Sequence, residues 1–147
     1  MEKKGYDAGK KVKGRKRHIV VDTMGLIWGL LVHPANISER NGAKLLLQSM
    51  QGKLKRLVKI LADGGYSGEK MINWVSEVCN WIFEIVKRNE LHKFVVLPKR
   101  WIVERTFGWI GRYRRMSKDY EHLTETSENM IYLCMIRLML KRFHNTS

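Results

Sequence analysis

Two carboxylates stand where chemistry could occur. Asp63 closes the short apolar run Leu57-Val-Lys-Ile-Leu-Ala62 and is followed at once by Gly64 and Gly65. A carboxylate at the carboxyl end of a strand, with glycines freeing the backbone and a helix N-terminus arriving at Ser67, sits where open α/β sheets form their sites. Asp-Gly-Gly is also simply a good turn. Glu104 is a lone acid among Arg100, Arg105, Arg112 and Arg115. Two carboxylates that meet repel unless a divalent cation neutralises them. Such a cation, with arginines around it, suits in-line displacement on a phosphodiester.

Helical spacing sets the second of these residues in place. Val103, Phe107 and Ile110 recur at i, i+4, i+7 after Pro98, predicting a helix with one core face. On another face Arg100, Glu104, Gly108 and Gly111 stack about one turn apart. Each interior glycine costs roughly 1 kcal/mol relative to alanine, so something large should approach that face. Either a nucleic-acid backbone or a neighbouring helix would fit.

The rest of the chain reads as an α/β domain. His18-Ile-Val-Val-Asp22, a turn at Thr23-Met-Gly25 and Leu26–His33 predict a hairpin. Ser38 caps a helix through about Met50, with Gly52 as its stop. A buried strand leads to Asp63, Ser67 caps a helix through about Val78, and Trp81–Lys87 returns as a strand. The Glu104 helix follows, then a last amphipathic helix from about Thr124 to Phe143. The order β-β-α-β-α-β-α-α implies a partly parallel sheet flanked by helices. His18, Asp22 and His33 also lie at strand ends, where a structural role is the expectation.

Charge points to the partner. The 147 residues carry a net charge of +14, with 44% apolar residues, enough for a core. Residues 1–20 hold eight basic and two acidic groups, and residues 87–118 hold ten basic and two acidic, so these blocks contain the whole excess. That is the footprint of a polyanion, DNA or RNA by default. Residues 1–17 read as a basic arm whose Lys10, Lys11, Lys13, Arg15, Lys16 and Arg17 would touch phosphates, joined by Arg105, Arg112, Arg114, Arg115 and Lys118 farther on. No segment is apolar enough to span a bilayer. Cys79 and Cys134 stand far apart, outside any zinc spacing, and read as buried thiols of a cytoplasmic protein.

Three blocks carry a resemblance. Gly5-Tyr-Asp-Ala-Gly-Lys-Lys through Gly25, Ala62-Asp63-Gly-Gly-Tyr66-Ser-Gly68, and Pro98-Lys-Arg-Trp-Ile-Val-Glu104-Arg-Thr-Phe-Gly-Trp109 with Arg114-Arg-Met-Ser-Lys-Asp-Tyr-Glu121 resemble, in this order, bacterial insertion-sequence transposases of the DDE type. The resemblance is to the carboxyl-terminal part of the insertion sequence four and five superfamily. It implies a ribonuclease H-like mixed sheet, residues 18–147, in which two aspartates and a glutamate hold two Mg²⁺ or Mn²⁺ ions for DNA cleavage and strand transfer at the element's terminal inverted repeats and in target DNA.

By motif position Asp63 matches the second aspartate, Glu104 the glutamate and Arg100 the helix arginine. A tyrosine expected before Arg100 falls on Leu97, and an expected lysine has only Arg112 as a counterpart. The family's first strand and first aspartate would precede Gly5, and neither Asp7 nor Asp22 replaces that ligand. The expectation is therefore a chain deficient in catalysis alone, with an exposed strand edge through which it could form a homodimer. The alternative is a basic nucleic-acid-binding protein with no catalysis.

Overall fold

The computed structural model describes residues 5–8, 12–86, 101–116, 119 and 121–146. They form two compact units, Met1–Ile37 with Ile102–Ser147, and Ser38–Trp101.

The first unit is built on an antiparallel sheet of β1 (Gly5–Asp7), β2 (Val12–Val21) and β3 (Ile27–Pro34). The expected hairpin is present, yet β2 starts at Val12, inside the basic segment. Pairing explains the difference, since Arg15, Lys16 and Arg17 lie opposite Pro34, His33 and Val32, and Tyr6 lies opposite Lys13. Ladder hydrogen bonds to β3 outweigh the polar local composition. Leu30 and Val32 present one face to Ile110, Met116, Ile131 and Cys134, the buried core of this unit.

Its helices are α3 (Trp101–Gly111) and α4 (Thr124–Thr146). The α4 carboxylate of Glu128 accepts the Val32 N–H at 2.8 Å, so it satisfies a strand donor. His18 and His33 are both buried, stacked with centroids 4.7 Å apart and Nε2 atoms 2.6 Å apart. At that distance one Nε2 donates to the other, the tautomers setting which, and the second ring nitrogen of His33 lies 2.8 Å from the Pro34 carbonyl, which can only accept.

The second unit holds α1 (Glu39–Met50), β4 (Lys59–Ala62), α2 (Glu69–Trp74) and β5 (Ile82–Ile85). Ser38 caps α1 as expected, its hydroxyl accepting from Asn41 N at 3.2 Å. Gly42, Ala43, Leu46, Leu47 and Met50 make the buried stripe of α1. Ser67 does not cap α2. The cap is Gly68, without a side-chain bond, and the helix runs on as a π turn through Cys79, closed by left-handed Asn80.

β4 and β5 are parallel, as the crossover through α2 requires. β4 is not fully buried, since Lys59 and Leu61 are exposed and Lys59 pairs with Glu84 across the ladder. Among the described residues β4 is paired along one edge only, and β2 from Arg15 onward only by β3. The architecture is thus mixed α/β with small sheets, compatible with a ribonuclease H-like fold.

Cys79 and Cys134 are free and buried, and burial pushes both thiols up, against which the Arg137 guanidinium pulls Cys134 down. Among the described residues no helix is long and apolar enough to cross a membrane.

Candidate functional site

Asp63 is the exposed residue that follows β4. Its backbone is extended and its Oδ1 accepts the Gly65 N–H at 3.0 Å, which caps the 3-10 turn Gly64–Tyr66. Short polar side chains hold such caps because they reach back to an otherwise unpaired donor.

Glu39, in the first turn of α1, comes to the same turn. Its Oε2 lies 2.5 Å from the point where a Cβ on residue 65 would stand, and Asp63 Oδ1 lies 3.2 Å from that point. The two oxygens are therefore no farther apart than those distances laid end to end, and glycine at 65 leaves room for both. Burial, then the charges of Glu39 and Asp63, push the Tyr66 phenol well above the ordinary tyrosine range. It stays protonated and able to donate. The associated stabilisation is complete below the ordinary tyrosine range and is lost as pH rises through the raised value.

Glu104 lies in the first turn of α3, exposed, where the positive end of the helix dipole favours a carboxylate. The buried stripe of this helix is Ile102, Thr106 and Ile110, while Val103 and Phe107 are half-buried. The expected core face is thus turned by one residue. Thr106 is the reason: fully buried, it donates its hydroxyl to the Gly25 carbonyl at 2.7 Å, with the Ile102 carbonyl 3.1 Å away.

Gly108 and Gly111 face open space. Nothing lies within 4 Å of a Cβ built on either, among the described residues, so no neighbouring helix occupies that face. Alanine at both positions is expected to stabilise the helix, by about 1 kcal/mol at the interior Gly108 and by less at Gly111, the last residue of α3. If this face admits a phosphate backbone, the same change weakens DNA binding. A urea titration and a binding isotherm on one double variant measure both. Stabilisation with unaltered binding would show that the face is merely solvated.

The basic residues divide. Arg15 is turned inward: Nη1 meets Asp119 Oδ2 at 3.1 Å and the Glu121 carbonyl at 2.8 Å, Nη2 bonds the His122 carbonyl, and the side chain is 3% exposed. Lys16 donates to the Ile37 carbonyl at 3.1 Å. Lys13 is exposed and Arg17 half-buried on β2, Arg112 and Arg114 are exposed just past α3, and Arg115 belongs to the 3-10 turn Arg114–Met116. Lys10, Lys11, Arg100 and Lys118 lie outside the described residues, as does Pro98.

Arg105 and, from α4, Arg142 stack on Trp109, their Cζ atoms 4.6 and 4.4 Å from the ring centre. A cation over an indole face gains from the ring quadrupole. Sequence reasoning assigned no role to Glu39, Tyr66, Trp109 or Arg142. Tyr66 and Trp109 stand inside recognisable motifs, whereas Glu39 and Arg142 arrive by tertiary packing.

Asp63 and Glu104 are exposed oxygen donors, the type a hard divalent cation takes, and they belong to different compact units. Among the described residues no group of three or more His, Cys, Asp or Glu could hold a metal ion.

A family model described as a transposase DDE domain matches residues 1–139. No curated protein matches the chain. No solved structure does either.

Proposed function

The chain belongs to the transposase DDE domain family and so serves DNA transposition, and within that family we propose that it works on insertion-sequence ends, in the insertion sequence four and five superfamily. Asp63 and Glu104 are the carboxylates that would hold Mg²⁺ or Mn²⁺. When bound, these ions neutralise charge on the scissile phosphate for an in-line displacement.

In cleavage, water forms a new bond to phosphorus and the bond to the 3′ oxygen breaks, leaving a 3′ hydroxyl. In strand transfer that hydroxyl forms a bond to a target phosphorus and releases another 3′ hydroxyl, so bonds balance in both steps. Around this chemistry Arg112 and Arg114, with Arg115 and Lys118, would contact the phosphate backbone, and Arg100, four residues before Glu104 in the sequence, would join them.

The observation that carries the reading is the open face of α3. Glu104, Gly108 and Gly111 share a bare, exposed helix surface, among the described residues, at the head of a run of arginines. A structural helix would have alanine or a larger residue there.

Four phosphate contacts would lower affinity roughly a hundredfold between about 50 and about 200 mM salt. The test is fluorescence anisotropy of the purified chain on labelled duplex DNA across that range, with nicking followed on a gel in the presence of Mn²⁺. An affinity that stays flat with salt overturns the DNA-facing assignment. Steep salt dependence without nicking favours binding without catalysis.

A further inference from the structure

An exposed carboxylate on a helix serves a metal only if the helix aims it in one direction. Ile110 grips the far end of α3 in the apolar core with Leu30, Val32 and Ile131. Apolar packing is non-directional, so by itself it leaves a helix some freedom to turn about its axis. A turn of about 20° would carry a carboxylate roughly 6 Å from the axis through about 2 Å. A metal site tolerates only about 0.5 Å.

Thr106 supplies the direction. It is fully buried and donates its hydroxyl to the Gly25 carbonyl at 2.7 Å, a bond whose strength depends on angle as well as distance. Thr106 lies two residues after Glu104, roughly 200° round the helix, so holding Thr106 inward aims Glu104 outward. Glu104 is indeed exposed.

The acceptor is held in turn by Asp22. One Asp22 carboxylate oxygen accepts from Met24 N at 2.9 Å and Leu26 N at 3.0 Å, and the other accepts the Trp28 Nε1–H at 2.9 Å. Asp22 N to Leu26 O and Gly25 N to Asp22 O, each at 3.0 Å, close the backbone of the turn. Gly25, with φ +81° and no side chain, lets Thr106 Oγ1 and Trp109 Cζ3 come within 2.9 Å of where a Cβ would stand. The helix therefore rests on a braced turn. We propose that Asp22 and Thr106 are positioning residues for Glu104, the hairpin turn being the stop that sets the rotation of α3 and hence the direction of its metal-holding carboxylate. This deepens the reading of Glu104 as a ligand of Mg²⁺ or Mn²⁺ and rests on it.

The test is calorimetric Mn²⁺ titration of the full chain and its variants, each at a temperature where circular dichroism shows it folded. Thr106→Val keeps the shape of the side chain and removes the donor. It is expected to weaken Mn²⁺ binding about tenfold, as outlying partners of a metal ligand do. Thr106→Ser restores the hydroxyl and should bind within about twofold of the parent. Asp22→Ala frees the turn and should weaken binding severalfold, whereas Asp22→Asn, which keeps an oxygen for Met24 N and Leu26 N, should lose less. Ile110→Val loosens the apolar end of the same helix, so it should lower the urea midpoint and leave Mn²⁺ affinity within about twofold.

Parent-like affinity in both Thr106→Val and Asp22→Ala would overturn the proposal. So would a loss in Ile110→Val as large as in Thr106→Val, because stability alone would then set the affinity, or a failure of Thr106→Ser to recover. Glu104→Gln tells this failure from that of the underlying reading. If it too leaves the titration unaltered, Glu104 holds no metal and the positioning role goes with it; if it weakens binding while Thr106→Val and Asp22→Ala do not, the positioning inference alone falls.

Discussion

Asparagine in place of Asp63, or glutamine in place of Glu104, is expected to lower Mn²⁺ affinity by at least about a hundredfold, because each removes a ligand and even outlying partners of a metal ligand are worth 10–100-fold. Whatever DNA nicking the chain supports with Mn²⁺ should fall on the order of a thousandfold. The amide replacements matter to the logic. Asparagine at 63 still offers Oδ1 to the Gly65 N–H, so the cap on the 3-10 turn survives, whereas Asp63→Ala would add about 1 kcal/mol of lost capping to any functional effect. Glu104 is exposed, so Glu104→Gln should alter stability by less than about 0.5 kcal/mol.

Calorimetric Mn²⁺ titration and a gel assay on the full chain read the two effects separately. Because ligands of one site act as a unit, the double variant should be scarcely worse than either single one. Unchanged Mn²⁺ affinity in both variants would remove the metal-holding assignment and leave a protein that grips phosphates without cutting them. Glu39→Gln provides a contrast, since its carboxylate sits beside the Gly65 turn and its effect on the same titration reports how far that neighbour supports Asp63.

What could be read from the sequence was what local rules determine. The hairpin turn at Thr23–Gly25, the Ser38 cap, the strand before Asp63 and the helix around Glu104 are each encoded by a few adjacent residues, and each is present. What tertiary pairing decides was not legible. Composition made residues 1–17 a basic arm, but residues 12–14 pair with β1, residues 15–17 pair with β3, and Arg15 is spent on Asp119 and two carbonyls. Periodicity placed the buried face of α3 on Val103, Phe107 and Ile110; Ile110 is buried, but Val103 and Phe107 are only half-buried, and a polar residue, Thr106, carries the deepest contact because the Gly25 carbonyl needs a donor. Glu39 next to Asp63 could not be read at all, since only the packing of α1 on the turn brings it there. The buried His18–His33 pair is a similar case, two strand residues joined by register rather than by spacing.

The same contact between turn and helix gives the largest expected stability effect. Gly25 has φ +81°, a left-handed conformation that costs an L-residue roughly 1–2 kcal/mol. A methyl group there would also stand 2.9 Å from Thr106 Oγ1 and 2.9 Å from Trp109 Cζ3. Neither is a flexible tip: Thr106 is fully buried, and Trp109 lies under Arg105 and Arg142. Relief requires the turn to move off α3, which breaks the Thr106–Gly25 hydrogen bond and strands a buried hydroxyl, costing about 1–3 kcal/mol more. Gly25→Ala should therefore destabilise the chain by about 2–5 kcal/mol, a large fraction of the 5–15 kcal/mol typical of a folded domain, at about 25 °C. Urea unfolding followed by tryptophan fluorescence measures it, with Gly108→Ala, which meets open space, as the control expected to move the other way. A loss below about 1 kcal/mol in Gly25→Ala would mean that the turn is not pinned to α3.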